Sequence, residues 1–260
     1  MTTHNDFSGR SALVTGAASG IGAACAQLLA ERGAAKLILV DVDEAGMAAL
    51  DLGDTETARI KGSVADEPLW SEIAPHLAGL NHAIVNAGMG GFGAFSDLAM
   101  EDWRRIMDVN LDGAFLTLRA SLRAMLEARK DGNSQPASIV ITASSTGIKP
   151  VPGTGPYGVS KAAVAHMARM AAAENAGAGI RVNAIAPGGV DTAIWESGPD
   201  FNEAVAKYGR EAVIGKMAKT TPLGRFSTAR ETAQSILFML SDEAPNLTGH
   251  VLVDDGGFTL

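Results

Sequence analysis

Tyr157 and Lys161 form a pair of side chains whose types and spacing could carry acid/base chemistry. Only 2 of the 260 residues are tyrosines, and one of them stands four positions before a lysine in GPYGVSKAA (155–163). If a helix begins near Pro156, the phenol and the ammonium project from the same face. A lone pair of this kind is more often ordinary helix surface, so its meaning depends on the rest of the sequence.

A tyrosine beside a cation can act as the general base that takes the hydroxyl proton of a secondary alcohol while hydride leaves the carbon. The pKa of free tyrosine is about 10, so a phenolate usable near neutral pH requires a depression of about 2–3 units. We expect Lys161 to supply much of this depression as a neighbouring cation, and an oxidised nicotinamide would add positive charge.

The stretch TGAASGIG, from Thr15 to Gly22, has the pattern of a dinucleotide-binding turn. It lies between a predicted strand and a predicted helix. Gly16, Gly20 and Gly22 lack a Cβ atom, which allows a sharp turn and lets a pyrophosphate approach the N–H groups at the helix start. The spacing is GxxxGxG and differs from the GxGxxG of the common Rossmann fingerprint.

Asp41 indicates which dinucleotide would bind. It stands 19 residues after Gly22, at the end of the second predicted strand. An acidic side chain at this place can accept hydrogen bonds from the adenosine ribose and repels a 2′-phosphate. The next residues, Val42 and Asp43, include no arginine that would attract this phosphate. The sequence therefore predicts NAD as the cofactor and disfavours NADP.

These residues must be positioned by an α/β fold. Short aliphatic runs alternate with longer segments of helical periodicity, which is typical of successive βαβ units in a parallel sheet. We predict seven strands, at 12–16, 37–41, 58–62, 82–88, 138–144, 180–187 and 250–256, with the longest helices at 101–130 and 157–175.

The domain organisation is expected to be simple. No repeat or linker divides the chain, so residues 1–260 are predicted to form one domain. Residues 189–227 contain no predicted strand. We expect them to form a helical insertion or lid over the binding cleft, because long connections in compact domains are often functional.

The composition argues against several classes of function. The formal net charge is −8 and the Lys and Arg residues are scattered, which disfavours nucleic-acid binding. No apolar run approaches the roughly 18 residues of a membrane span, and the N-terminus lacks a signal-peptide pattern. The 5 histidines show no metal-ligand spacing, so no metal is expected. The single cysteine, Cys25, fits a reducing cytoplasm.

Together these motifs resemble the short-chain dehydrogenase/reductase family over nearly the whole chain. The similarity consists of TGxxxGxG at 15–22, an acidic residue at 41, NAG at 86–88, Asn110, Ser144, YxxxK at 157–161, PG at 187–188 and Thr192. Ser144 precedes Tyr157 by 13 residues, as in that family. The resemblance implies a Rossmann-like, doubly wound sheet of seven strands. It also implies a homotetramer, or a homodimer, assembled through the two long helices.

The resemblance assigns roles to individual residues. Tyr157 is the expected general acid/base, Ser144 orients the substrate oxygen, Lys161 also holds the nicotinamide ribose, and Asn110 supports a water in the proton path. Trp195 is a candidate substrate contact beside Ser144 and Tyr157. Cofactor binding is implied for Tyr157 and Lys161 and for Gly16, Ser19, Gly20, Ile21, Gly22, Asp41, Ser63, Val64, Asn86, Ala87, Gly88, Pro187, Gly188, Val190 and Thr192. Ser63 stands where the family usually has the aspartate that meets adenine.

The expected activity is the NAD-dependent interconversion of a secondary alcohol and its ketone, the alcohol being a polyol, a cyclic alcohol or a hydroxy acid derivative. Two alternatives remain open. A 3-oxoacyl carrier-protein reductase of the same family usually requires NADPH and a basic docking patch, which Asp41 and the acidic chain argue against. A non-catalytic dinucleotide-binding regulator would be expected to lack Tyr157 or Lys161, and both are present.

Overall fold

The strands form a single parallel sheet. The computed structural model describes residues 6–260. The strands are β1 (Ser11–Thr15), β2 (Lys36–Asp41), β3 (Glu56–Lys61), β4 (His82–Val85), β5 (Ala137–Thr142), β6 (Ile180–Pro187) and β7 (Val251–Asp254). Their order is β3-β2-β1-β4-β5-β6-β7, and every neighbouring pair is parallel. The predicted doubly wound sheet of seven strands is confirmed.

Helices cover both faces of the sheet. They are α1 (Gly20–Glu31), α2 (Glu44–Ala48), α3 (Glu67–Glu72), α4 (Met100–Met107), α5 (Gly113–Lys130), α6 (Gly155–Asn175), α7 (Pro199–Tyr208), α8 (Arg210–Ala218) and α9 (Ala229–Leu240). In β1, Leu13 packs in the core beneath α5 and α6, whereas Ala12 and Val14 pack in the core beneath α1 and α9. Burial on both faces explains why the strands are continuous aliphatic runs in the sequence.

The order of the strands reverses between β1 and β4. From β1 the chain builds outward to β2 and β3, and it then returns to place β4 on the other side of β1. In an open parallel sheet such a reversal leaves a crevice at the carboxyl ends of the strands, where ligands bind. The segments after β1 and β4 line this crevice and contact each other, because the Asn86 N–H donates to Thr15 Oγ1 at 3.0 Å.

The predicted helix at 101–130 is one helical segment with an irregular turn in it. Helix α4 ends at Met107, a π-helical turn spans Asp108–Asp112, and α5 begins at Gly113. Asn110 lies in the middle of the π turn. Such turns insert one residue into an α-helix and are frequent at functional sites. This irregular turn is not visible in the hydrophobic periodicity of residues 101–130.

Residues 189–227 are largely helical. A short 3₁₀ turn at Ala193–Ser197 leads into α7, and Gly209, with a φ of +81°, separates α7 from α8. The two helices pack against each other, and α7 also packs against the 3₁₀ turn. A bridge between Val190 and Ser227 closes the base of the segment. Its function as a lid stays a prediction.

A buried polar cluster lies at the amino-terminal end of the sheet, opposite the crevice. The Nδ1 of buried His82 is 2.9 Å from Ser138 Oγ, and its Nε2 is 3.5 Å from Arg10 Nη1. Because an arginine only donates, His82 accepts at Nε2 and carries its hydrogen on Nδ1. Burial, with the charges of Arg10 and Arg181 acting in the same direction, lowers the pKa of His82 to about 3.

His82 is expected to make the fold sensitive to acid. Its pKa is about 3 in the folded chain and about 6.5 in an unfolded one, so its stabilising contribution is complete above about pH 6.5 and is lost as the pH falls. We expect this group to lower the free energy of unfolding by about 1–2 kcal/mol between about pH 6.5 and about pH 5, measured by urea denaturation.

The His82→Gln variant cannot titrate at this position and should lack that part of the slope. His76→Gln changes an exposed histidine and serves as the matched control, which should keep the wild-type slope. If His82→Gln and the wild type have the same slope, the buried imidazole does not titrate as described.

Candidate active site

The glycine turn between β1 and α1 approaches its neighbours too closely to admit side chains. Gly16 has a φ of +65°, and a Cβ atom there would lie 2.9 Å from Ala87 Cα. At Gly22 a Cβ atom would lie 2.0 Å from the Gly16 carbonyl oxygen. At Gly20, with a φ of +53°, it would lie 3.2 Å from Thr192 Cγ2. Glycine is therefore required by backbone contact at Gly16 and Gly22 and by the positive φ at Gly20.

The start of α1 has the form of an anion site. Ser19 is the residue before the helix, and Gly20, Ile21 and Gly22 supply the first N–H groups of its twelve residues. These N–H groups face the crevice side of the turn at the positive end of the helix dipole. A dinucleotide pyrophosphate fits this cradle, since the glycines leave its approach open.

Asp41 lies beside this turn at the end of β2. Its Oδ2 accepts from the Ala18 N–H and its Oδ1 from the Asp43 N–H, both at 2.9 Å. The two bonds fix the carboxylate without using all of its acceptor positions, so it can still accept from a ribose hydroxyl. The geometry is compatible with the predicted role of Asp41 in choosing NAD.

Ser63 and Val64 follow β3, on the far side of Asp41. The Ser63 Oγ accepts from the Ala65 N–H at 3.3 Å. Val64 is buried against Gly113 at the start of α5. A Cβ atom on Gly113 would lie 2.5 Å from the Cγ2 of Val64. The contact of these residues with adenine stays a prediction.

Asn86 ties β4 to both neighbouring strands. Its side-chain amide donates to the Thr15 carbonyl at 3.1 Å and accepts from Thr142 Oγ1 at 3.2 Å. Two residues later, a Cβ atom on Gly88 would lie 3.3 Å from Lys161 Nζ. The NAG motif thus shapes the crevice by holding strand ends together and by leaving space next to the lysine.

Asn110 fastens the loop after β4 to helix α6. Its side chain accepts from the Met89 N–H at 2.8 Å and donates to the Met89 carbonyl at 3.0 Å and to Ser160 Oγ at 3.2 Å. Ser160 in turn donates to the Tyr157 carbonyl at 2.7 Å. Asn110 is therefore bonded to the residue that directly precedes Lys161 in the chain. Its support of a proton-carrying water stays a prediction.

Tyr157, Lys161 and Ser144 come together at the carboxyl ends of the strands. Lys161 Nζ is 5.7 Å from the centroid of the Tyr157 ring and donates to the Thr142 carbonyl at 2.8 Å. Ser144 Oγ accepts from the N–H and the hydroxyl of Thr146, at 3.2 and 3.0 Å. The hydrogen of Ser144 is left to donate, and its hydroxyl faces the Tyr157 phenol. The predicted catalytic side chains are thus neighbours in space.

Burial shifts the pKa values of Tyr157 and Lys161 in opposite directions. It raises the pKa of Tyr157 above its usual value, while the hydrogen bond to Ser144 acts the other way and is the weaker effect. It lowers the pKa of Lys161 to about 8, so most of the lysine is still charged at neutral pH. For the chain without cofactor the net direction is therefore upward, because desolvation of the phenolate dominates. That Lys161 together with a bound nicotinamide depresses the pKa of Tyr157 stays a prediction.

The segment after β6 connects the crevice to the helical insertion. Pro187 ends β6, and a Cβ atom on Gly188 would lie 2.7 Å from Asp255 Cα in the C-terminal segment. Val190 accepts a hydrogen bond from Trp195 Nε1 at 2.8 Å. The indole stacks on Phe226 with ring centroids 5.5 Å apart, and so closes the insertion on itself. Contact of Trp195 with a substrate stays a prediction.

Comparison with known proteins agrees with this geometry. A family model described as enoyl-(acyl carrier protein) reductase matches residues 16–259. The chain belongs to the short-chain dehydrogenase/reductase family. It is accordingly an oxidoreductase.

Two relatives and one solved structure illustrate the range of this family. The chain is 36% identical over 260 residues to 2,5-dichloro-2,5-cyclohexadiene-1,4-diol dehydrogenase of Sphingobium indicum, covering 98% of this chain and 99% of that protein. It is 37% identical over 263 residues to galactitol 2-dehydrogenase of Rhizobium johnstonii, covering 96% and 95%. The structure of 3-ketoacyl-(acyl-carrier-protein) reductase from Brucella melitensis complexed with NADH has a TM-score of 0.83 at 26% identity and covers 98% of this chain and 100% of that one.

Two residues that position the site of this short-chain dehydrogenase/reductase were missed in the sequence. Thr142 bonds Lys161 and Asn86, and Ser160 bonds Asn110 and the backbone of Tyr157. Ser160 could have been suspected because it directly precedes Lys161. Thr142 had no such signal, since a threonine that ends a strand is common.

Across residues 6–260 no group of three or more His, Cys, Asp or Glu is arranged to hold a metal ion. His4 lies outside the described residues. In that same part of the chain, no helix has both the length and the apolar character needed to cross a bilayer.

The direction of the Tyr157 shift can be measured because the chain has only 2 tyrosines. Tyr208 is 62% exposed, and in the Tyr208→Phe variant the phenolate absorbance reports Tyr157 alone. We expect less than half of this phenol to ionise at about pH 10 in the folded protein without cofactor. Saturating NAD should shift the titration downward, because it adds positive charge. Half-ionisation well below pH 10 without cofactor would contradict the dominance of burial.

Proposed function

We propose that this oxidoreductase interconverts a secondary alcohol and its ketone with NAD as the hydride carrier. The observation that carries the proposal is the convergence of Ser144, Tyr157 and Lys161 beside the glycine turn. An acid/base phenol, an oxygen-orienting hydroxyl and a buried ammonium next to a dinucleotide cradle are the groups that hydride transfer at a carbinol carbon requires.

Each residue has a distinct part in the reaction. Ser144 donates to the substrate oxygen and orients it. In oxidation Tyr157 takes the hydroxyl proton, and in reduction it returns a proton to the ketone oxygen. Lys161 stabilises the phenolate by its charge and can reach the ribose. NAD, when bound, accepts the hydride that leaves the carbon. Burial raises the pKa of Tyr157 in the chain alone, which favours the protonated form that the reductive direction requires.

The entrance to the site favours an apolar ring alcohol. Phe95 is 65% exposed, and its ring lies over Gly155, two residues before Tyr157. Phe92 is 44% exposed and contacts Gly198 in the insertion. These two rings offer apolar surface between the start of α6 and the insertion. The relative that acts on a chlorinated cyclohexadiene diol supports this class. A polyol is the second candidate, on the likeness to galactitol 2-dehydrogenase.

A carrier-protein reductase is disfavoured by the surface of α5. Helix α5 carries four basic side chains, of which Arg119, Arg129 and Lys130 are engaged within the chain. Arg119 pairs with Glu67 at 2.7 Å, Lys130 pairs with Glu127 at 2.6 Å, and Arg129 donates to the Asn133 carbonyl at 2.6 Å. The charges of Arg119 and Lys130 are thus paired with carboxylates, which weakens the case for docking an acidic carrier protein.

The proposed assembly is a homotetramer, or a homodimer, through α5 and α6. Both helices carry exposed apolar side chains, Phe115 on α5 and Val159 and Met170 on α6. Apolar side chains on adjacent helices are a surface that association would remove from water. We also propose a cytoplasmic location, because the single cysteine of the chain cannot form an internal disulfide and fits a reducing compartment.

Asp41 is expected to set the preference for NAD. In the Asp41→Ala variant the ratio of kcat/KM with NAD to kcat/KM with NADP should fall at least about tenfold, because the charge opposing the 2′-phosphate is gone. Asp54→Ala removes the same charge from an exposed turn and should keep the wild-type ratio. A wild type that prefers NADP would overturn the assignment of NAD.

Tyr157→Phe is expected to abolish turnover while the affinity for NADH is kept. A panel of ring alcohols, polyols and hydroxy acids with NAD first identifies a substrate by NADH formation. On that substrate, kcat should fall by about a thousandfold or more, because the proton acceptor is lost. Tyr208→Phe makes the same chemical change at an exposed tyrosine and should be fully active. Substantial activity in Tyr157→Phe would refute this tyrosine as the acid/base.

A further inference from the structure

Thr142, the last residue of β5, is hydrogen-bonded to both halves of the site. Its carbonyl accepts from Lys161 Nζ at 2.8 Å, and its hydroxyl donates to Asn86 Oδ1 at 3.2 Å. The Asn86 amide nitrogen then donates to the carbonyls of Thr15 at 3.1 Å and Gly16 at 3.4 Å. Hydrogen bonds through Thr142 and Asn86 therefore connect the buried ammonium of Lys161 to Gly16, the first glycine of the dinucleotide turn.

Thr142 and Lys161 are shielded from water and held by the sheet, whereas Asn86 is half-buried. Thr142 is 7% exposed and Lys161 is 4% exposed. The backbone following Thr142 is fixed by the bond from the Ala143 N–H to the Ile185 carbonyl at 2.7 Å. Since the carbonyl of Thr142 is set by the backbone, its hydroxyl is the part that a side-chain substitution can remove.

Loss of that hydroxyl has a defined structural consequence. Asn86 Oδ1 would lose its donor, while Nδ2 would still face Thr15 and Gly16. The amide would then be held from one side only and could rotate away from the Gly16 carbonyl. Gly16 and Gly22 are in close backbone contact, so the whole turn depends on the position of that carbonyl.

We propose that Thr142 is a positioning residue that holds Lys161 and the glycine turn in register, so that dinucleotide binding and proton transfer are coupled. The catalytic part of this inference rests on the proposed function. Thr142 touches neither substrate nor cofactor and acts through Asn86 and Lys161. Its hydroxyl is needed, and its methyl group is not.

The first test compares three variants by their affinity for NADH, measured from nicotinamide fluorescence. In Thr142→Val, which keeps the shape and removes the hydroxyl, we expect the Kd to rise about five- to tenfold. Thr142→Ser keeps the hydroxyl and should stay within about twofold of the wild type. Thr117→Val is the matched control, because Thr117 is also buried and its hydroxyl donates within α5 to the Gly113 carbonyl at 2.7 Å. The control should change stability only.

The second test reports on the proton-transfer side and requires no turnover. In the Tyr208→Phe background, Thr142→Val should raise the apparent pKa of Tyr157. The variant keeps the carbonyl that binds Lys161, but it loosens Asn86 and the NAG segment, whose Gly88 borders Lys161 Nζ, so that the ammonium can shift away from the phenol. Thr142→Ser and Thr117→Val should leave it unchanged. On an active substrate, Thr142→Val should also displace the acidic limb of the pH profile of kcat to higher pH. Thr142→Ser, which keeps the hydroxyl, should have the wild-type profile.

The outcomes separate this inference from the proposed function. If Thr142→Val loses stability but matches Thr117→Val in Kd and in the Tyr157 titration, the hydroxyl is only structural and the inference is overturned. If no alcohol is oxidised by the wild type, the proposed function fails, while the Kd and the titration still decide the role of Thr142.

Discussion

The buried ammonium of Lys161 is the group on which the arrangement of the site depends. A charge removed from water requires polar partners, and here the Thr142 carbonyl at 2.8 Å supplies one. This bond fixes the start of α6 against the end of β5. Tyr157, one turn earlier, is thereby placed opposite Ser144. The same burial lowers the pKa of Lys161 to about 8, so the lysine keeps its charge near neutral pH.

The pKa of Tyr157 is the property of the site that a bound nicotinamide cofactor would be expected to change. Desolvation raises the pKa of the phenol, and the hydrogen bond with Ser144 only partly opposes this. A bound oxidised nicotinamide would bring a further positive charge to the crevice. The close backbone contacts of Gly16, Gly22 and Ala87 keep the dinucleotide cradle open next to the proton-transfer groups. The proposed coupling of cofactor binding to the ionisation of Tyr157 rests on this shared space.

The segments proposed to contact the substrate are fixed in the fold by other contacts than the proposed catalytic residues. Ser144, Tyr157 and Lys161 are fixed by the ends of central elements. The insertion packs on itself, through Trp195 stacked on Phe226 and α7 against α8, with Gly209 between the two helices. Phe92 extends from the loop after β4 to this insertion. Reaction chemistry and substrate choice therefore lie in parts of the fold with different constraints, as is common for sites built on loops over a rigid sheet.

The sequence by itself determined the sheet and the glycine turn, and it singled out Ser144, Tyr157 and Lys161, which the fold brings together. Strands buried on both faces must be aliphatic throughout, and a turn in backbone contact must be glycine, so these features are visible in residue type and spacing. The tertiary structure alone decided the π turn at Asn110, the bonds of Thr142 and the direction of the Tyr157 shift. Each of these depends on packing between segments that are far apart in the chain. No local pattern encodes the desolvation or the hydrogen-bond partners that such packing creates.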